Sequence, residues 1–147
     1  IVEIVKSYEE ISKKKFIINS KNYNNPISLN KSIEIIYGLR NFIGNANKFS
    51  QNKVEIFLIS DTQLSSIIIR DDGPGFPKDL IDKDKLGEPY IRTTDQKNIT
   101  KYGLGLGIFI GKTLLEKNFA KINFYNSSQT GGAEVSIIWK NKDLNLI

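Results

Sequence analysis

Three stretches of this chain hold residue types at spacings that could do chemistry. The first is Tyr102-Gly103-Leu104-Gly105-Leu106-Gly107, with Ile108-Phe109-Ile110-Gly111-Lys112 directly behind it. Glycine alternates with leucine, and an apolar-periodic helix follows at once. Such a loop has no side chains in the way, so its backbone N–H groups can fold around a phosphate while the helix N-terminus adds positive dipole. The second stretch, residues 41–50, puts Asn41, Asn45 and Lys48 on one side of a helix at i, i+4 and i+7. An Asn carbonyl oxygen is a hard ligand suited to Mg²⁺, which takes few protein ligands and completes its shell with water and phosphate oxygens. A lysine one turn on can meet phosphate charge. The third stretch, Ile67-Ile68-Ile69-Arg70-Asp71-Asp72-Gly73-Pro74-Gly75, ends an apolar strand in a carboxylate. An ionised Asp only accepts hydrogen bonds, so it can take one from an exocyclic amine such as that of adenine. Glycines let the backbone lie close to a flat ring.

Each stretch taken alone has a plainer reading. Glycine-rich turns before helices are common. A polar helix face is usually just the solvated face, although asparagine competes for the backbone in mid-helix and is a poor choice there. Asp-Gly and Gly-Pro are ordinary turn signals. The three gain weight only together.

The elements that must position them follow from periodicity. Apolar residues at Ile1, Ile4, Val5, Tyr8 and Ile11 predict a helix over 1–14, and Phe16, Ile17 and Ile18 a strand over 15–20. Residues 21–29, with paired asparagines and Pro26, read as a loop. Ser32 is the expected N-cap of a long helix reaching Ser50. Its apolar side holds Ile35, Ile36, Leu39, Phe42, Ile43, Ala46 and Phe49. Strands over 53–59 and 64–70 form a hairpin across a polar turn. Residues 71–101 carry three of the four prolines and little periodicity, as functional lids do, with a helical turn near 79–84. After the glycine loop come a helix to about Asn118, a strand over 120–125, a turn at Gly131-Gly132, and a last strand over 133–139 with Val135, Ile137 and Trp139 on one side. Residues 140–147 read as a frayed end. The sum is an α+β chain of about three helices and five mostly antiparallel strands, a two-layer sandwich with helices on one face of a mixed sheet.

A chain of 147 residues holds one domain with a real core. No apolar run reaches membrane-spanning length, and no signal peptide is visible. The chain begins at Ile1 and has no methionine, so it is expected to be a piece of a longer protein. Without cysteine or histidine, it has neither thiolate or imidazole metal ligands nor a histidine to activate a nucleophile. Its net charge of +5 reflects a general bias to Lys, Asn and Ile. There is no arginine-dense stripe with interleaved aromatics, so nucleic acid is not the expected partner. A polyanionic small ligand suits the charge equally.

In order and spacing, these stretches together resemble the catalytic, ATP-binding domain of sensor histidine kinases. Asn41-Phe42-Ile43-Gly44-Asn45-Ala46-Asn47-Lys48-Phe49-Ser50 resembles the N box of that family, and Asp71-Asp72-Gly73-Pro74-Gly75 its G1 box. Leu86-Gly87-Glu88-Pro89-Tyr90 sits where the F box sits. Gly103-Leu104-Gly105-Leu106-Gly107 resembles the G2 box, and Thr130-Gly131-Gly132 the last glycine motif. Within the family, the phrases around Leu86–Tyr90 and 103–116 are most similar to the RegB/PrrB-type kinases, which respond to redox state.

The resemblance implies the ATP-binding α/β sandwich shared by gyrase, the heat-shock chaperone, histidine kinases and MutL. Carried over by position, Asn45 would bind Mg²⁺, Asn41 would line the triphosphate site and Lys48 would contact phosphate. Phe49 would pack near the base, and Asp71 would accept from the adenine amine in a pocket shaped by Gly73, Gly75 and Thr130. Tyr102, Gly103, Leu104, Gly105, Leu106 and Gly107 would wrap the phosphates, and residues 77–102 would form the ATP lid. The implied activity is transfer of the γ-phosphate of ATP to a histidine on upstream dimerisation helices, with a response regulator as partner. The implied parent is a membrane-anchored homodimer with this domain in the cytoplasm of a bacterium, and any redox-sensing group would lie outside this chain. Two departures bear on mechanism. Hydrolysing relatives carry a glutamate base where Asn41 stands, which favours transfer over hydrolysis. Ala133 stands where many relatives have a hydroxyl. The alternatives are an ATP-binding regulatory module without transfer and an anti-sigma-type serine kinase.

Overall fold

The computed structural model describes residues 1–22, 26–89 and 106–147. The described elements run α1 (Val2–Glu9), β1 (Lys15–Asn22), α2 (Ile33–Phe49), β2 (Lys53–Ser60), β3 (Leu64–Asp71), α3 (Lys78–Asp82), α4 (Leu106–Lys117), β4 (Lys121–Asn126), β5 (Ala133–Lys140) and α5 (Asn141–Leu144). The strands form one sheet in the order β1-β2-β3-β5-β4. β1 runs parallel to β2, and every other neighbouring pair is antiparallel. Helices lie on one face, so the two-layer α+β sandwich expected from the sequence is the fold observed.

Period-two patterning explains the sheet. In β3 the residues Ser65, Ile67, Ile69 and Asp71 point into the protein and alternate with less buried neighbours. In β5, Val135, Ile137 and Trp139 are buried as expected, and the Trp139 indole donates Nε1–H to the Asn118 carbonyl at 3.0 Å. That bond satisfies the one polar atom the buried ring carries.

α2 begins where the sequence says it should. The Ser32 hydroxyl accepts from the Ile35 N–H at 3.1 Å, satisfying an otherwise orphaned donor of the first turn. Ile35, Leu39, Phe42, Ile43 and Ala46 are buried against the sheet, whereas Ile36 and Phe49 are only half-buried. α4 lies across α2 at two glycines. A Cβ on Gly38 would fall 2.6 Å from Leu115 Cγ, and one on Gly111 3.2 Å from the Gly38 carbonyl oxygen. Only bare backbone lets the helices approach this closely. The far ends are tied by Glu34, which accepts from Lys117 Nζ at 2.7 Å and from Asn118 Nδ2 at 2.8 Å.

Three local expectations need correction. α1 stops at Glu9 rather than near residue 14, and Ile11 is left 80% exposed. Beyond it, Ser12 and Lys14 dock on the end of α2. Five helices are described rather than about three: α3 is the helical turn expected near 79–84, and α5 is a further single turn. Finally, residues 140–147 are not simply frayed. α5 buries Leu144, and Asn141 is held by the Asp61 carbonyl and the Ser65 hydroxyl.

Candidate nucleotide site

The crossing of α2 and α4 sets the first part of the site. Gly107, in the first turn of α4, faces the polar side of α2. A Cβ built on Gly107 would lie 3.5 Å from Asn41 Oδ1 and from both Asn45 amide atoms. Asn41 donates Nδ2–H to the Tyr37 carbonyl one turn back at 2.8 Å, which orients its Oδ1 toward Gly107. The half-buried Asn45 makes no side-chain hydrogen bond among the described residues. Its amide oxygen is of the hard type that Mg²⁺ takes alongside phosphate and water. Among the described residues no three carboxylate, His or Cys groups cluster as a metal cage. A cation held here would therefore rely on Asn45 together with the ligand's own oxygens. Lys48 is exposed, and its ammonium lies over the Phe49 ring, 5.1 Å from the centroid, an attractive cation–π geometry.

Asp71 forms the second part. It ends β3 and is 4% exposed. Its Oδ1 accepts from the Gly73 N–H at 2.8 Å and the Ala133 N–H at 3.1 Å. Among the described residues Oδ2 takes no bond, which leaves it for a ligand's donor. Burial pushes the Asp71 carboxyl above its ordinary value, the two backbone bonds oppose this, and neighbouring Asp72 adds to the rise. Ala133 thus contributes through its backbone at the position where the sequence lacks a hydroxyl. The hydroxyl of Thr130 is committed elsewhere: it donates to the Asp71 carbonyl at 2.9 Å and accepts from the Gly132 N–H at 3.2 Å.

Glycine is required around Asp71 because backbone passes against backbone. A Cβ on Gly73 would sit 2.2 Å from the Phe49 carbonyl oxygen, and one on Gly132 would sit 2.1 Å from that of Asp71. Gly75 has φ +80° and packs on the Gly131 carbonyl and the Asn126 side chain. Phe49, at the end of α2, therefore touches the turn that follows Asp71, which joins the two parts of the site.

Asn41 and Asn45 thus face Gly107 in the first turn of α4, with Leu106 beside it, while Phe49, Gly73 and Thr130 gather around Asp71 and Gly75 follows in the same turn. Tyr102, Gly103, Leu104 and Gly105 lie outside the described residues, as do residues 90–102 of the expected lid. In the described part of that segment, Leu86 is buried, and Gly87 has φ +88° with Lys112 of α4 packed on it.

Three side chains of this region went unnoticed in the sequence. The Asp72 carboxylate accepts from the backbone N–H groups of Gln51, Asn52 and Lys53 at 2.8–3.2 Å. Burial acts to raise its pKa, but these bonds win and hold it below the ordinary value. Asn126 clamps Phe76 by accepting from its N–H at 2.7 Å and donating to its carbonyl at 2.9 Å. Lys14 caps the end of α2. The Asp-Asp doublet was the one sequence signal for any of the three.

The family model described as "Histidine kinase-, DNA gyrase B-, and HSP90-like ATPase" matches residues 30–143. The sensor histidine kinase RegB of Cereibacter sphaeroides is 36% identical over 121 residues, covering 72% of this chain and 26% of that protein. The sensor histidine kinase CpxA of Escherichia coli is 28% identical over 117 residues, 80% of this chain and 23% of that protein. The chain thus spans about a quarter of the length of these curated relatives. Among solved structures, a mycobacterial sensor histidine kinase, MprB, superposes with a TM-score of 0.72 at 21% identity, over 95% of this chain and 93% of that one. That likeness speaks to the fold. With the family model matching most of its length, the chain belongs to the histidine kinase-, DNA gyrase B- and HSP90-like ATPase family.

Proposed function

We propose that this domain binds ATP with Mg²⁺ and delivers the γ-phosphate to a histidine outside this chain, as the catalytic domain of a two-component sensor kinase. The observation that carries the reading is the convergence on Gly107: two amide side chains of α2 face the first turn of α4, while a buried carboxylate, one oxygen of which takes no bond among the described residues, lies beyond the end of α2. Such a site has an anion-binding helix start at one end and an amine acceptor at the other. Asp71 Oδ2 accepts from the adenine amine, and the Gly73 and Ala133 N–H groups hold the carboxylate in place. Phe49, with Gly73 and Gly75, borders the base. Asn45 supplies a ligand oxygen to Mg²⁺, which neutralises phosphate charge. Asn41 lines the same space, and Lys48 swings from the Phe49 ring to a phosphate oxygen. The glycine run 103–107 and residues 77–102 enclose the triphosphate.

Transfer rather than hydrolysis follows from the chemistry of these side chains. Asn41 has no titratable group in the range where it could take a proton from water. An imidazole acceptor is already a nucleophile and needs mainly positioning and charge neutralisation at the phosphoryl group. Because the chain holds no histidine, the acceptor belongs to another segment, with dimerisation helices, a response regulator and a membrane anchor as the partners of the parent protein.

Calorimetric titration of the domain with MgATP, MgGTP and metal-free ATP tests this reading. Saturable binding that prefers ATP and requires Mg²⁺ is the expected result. Equal binding of ATP and GTP would remove Asp71 as the base reader, and brisk multiple-turnover hydrolysis would overturn the transfer assignment.

A further inference from the structure

The turn between α2 and β2 is gripped from two sides by opposite charges. On one side, the half-buried Lys14 donates Nζ–H to the carbonyls of Asn47, Ser50 (2.6 Å) and Lys48 (3.4 Å). The last carbonyls of a helix have no partner within it, and a cation there also meets the negative end of the helix dipole. The Ser12 hydroxyl secures the lysine's own turn. It donates to Asn47 Oδ1 at 2.7 Å and accepts from the Lys14 N–H at 3.1 Å. On the other side, Asp72 collects the N–H groups of Gln51, Asn52 and Lys53. The carbonyls of residues 47, 48 and 50 are thus fixed by a cation and N–H groups 51–53 by an anion.

Both ends of the site hang on this turn. Lys48 and Phe49 are the last residues of α2, directly before it, Asn45 stands one helical turn further back, and Asp72 is covalently next to Asp71. The Phe49 carbonyl rests on Gly73. We propose that Lys14 is a positioning residue of the nucleotide site, acting with Asp72 as a clamp that sets the distance between the amide face of α2 and Asp71. That distance must match the reach of a nucleotide from its base amine to its phosphates. The proposal rests on the nucleotide reading above. It assigns to the α1–β1 connection, remote in sequence from the glycine and asparagine motifs, control over whether base and phosphates are held at once.

Lys14→Met keeps most of the aliphatic stem and removes the cation. Wild type and variant are titrated with MgATP and with adenosine, by calorimetry or by amide chemical shifts. If the clamp sets the span, MgATP binding weakens at least about tenfold while adenosine binding changes less than about twofold, since only a ligand reaching both ends feels the misplacement. In an Asn45→Ala background, Lys14→Met should then add little further loss, because the phosphate end is already uncoupled. Equal losses for both ligands, no loss for either, or full additivity with Asn45→Ala would each overturn the clamp, leaving the nucleotide assignment intact. A wild-type domain that binds neither ligand would overturn both. Should Lys14→Met not fold, Lys14→Arg retains the charge but displaces it, and the same selective weakening of MgATP is expected.

Discussion

Thr130 donates its hydroxyl hydrogen to the backbone carbonyl of Asp71 at 2.9 Å. The turn before β5 is thereby fastened to the last residue of β3, and the N–H of Ala133 completes the hold on the Asp71 carboxylate at 3.1 Å. A carboxylate fixed so tightly through its carbonyl and Oδ1 has its Oδ2 aimed by backbone. The consequences for binding and for stability run in opposite directions.

For Asp71→Asn, the amide oxygen can still accept from Gly73 and Ala133, but the atom replacing Oδ2 becomes a donor. ATP affinity should fall at least about tenfold, the scale of a lost hydrogen bond to a charged group. Burial raises the folded pKa of Asp71 above 3.8, so the folded state holds the proton more tightly than the unfolded chain. Stability therefore falls as pH rises from about 3.8 through the folded value. The Asn variant lacks that loss, and its melting temperature at neutral pH should equal or exceed the parent's. Melting curves from acid to neutral pH check this, and a clearly lower neutral value would show that the carboxylate's bonds outweigh its burial.

Asp72 has the opposite sign. Its folded pKa lies below 3.8, held there by three backbone N–H groups, so its stabilisation is present above 3.8 and is lost as pH falls through the folded value. Asp72→Ala should cost about 1–2 kcal/mol at pH 7, given three charge-assisted bonds that are partly solvated. The difference from the parent should shrink in acid. Urea unfolding at neutral pH and near pH 3 measures both quantities.

Asn45→Ala separates binding from folding. The Asn45 side chain makes no hydrogen bond among the described residues, and alanine is the better helix former. The melting temperature should hold or rise slightly, while MgATP affinity drops by about tenfold or more and metal-free ATP is affected far less, as expected for one hard ligand removed from Mg²⁺. Unchanged MgATP binding would refute the metal role.

Adjacent glycines should respond very differently to alanine. Gly131 has φ +73° but open space around it, so Gly131→Ala carries only backbone strain, about 1–2 kcal/mol. Gly132 would drive a Cβ to 2.1 Å from the Asp71 carbonyl oxygen and 2.7 Å from its Oδ1. Gly132→Ala must move β5 away from β3, costing on the order of 4 kcal/mol or more, and nucleotide binding should go with it. Denaturation of the pair of variants side by side decides the matter.

The sequence by itself determined what depends on near neighbours. Ser32 caps α2 because a cap needs only residues three apart. Val135, Ile137 and Trp139 are buried because alternation is a property of one strand. The motifs at Asn45, Asp71 and Gly107 were legible because each is a short run of residue types at fixed spacing. Only the tertiary structure decided who meets whom across long separations. The parallel pairing of β1 with β2, the seat of Gly111 on Gly38, the engagement of Lys14 with carbonyls more than thirty residues away, and the burial of Leu144 come from packing of the assembled layers. A lysine in a polar turn looks the same whether it faces water or the end of a helix. Its role comes from the three carbonyls that folding places around its ammonium, and no local pattern encodes them.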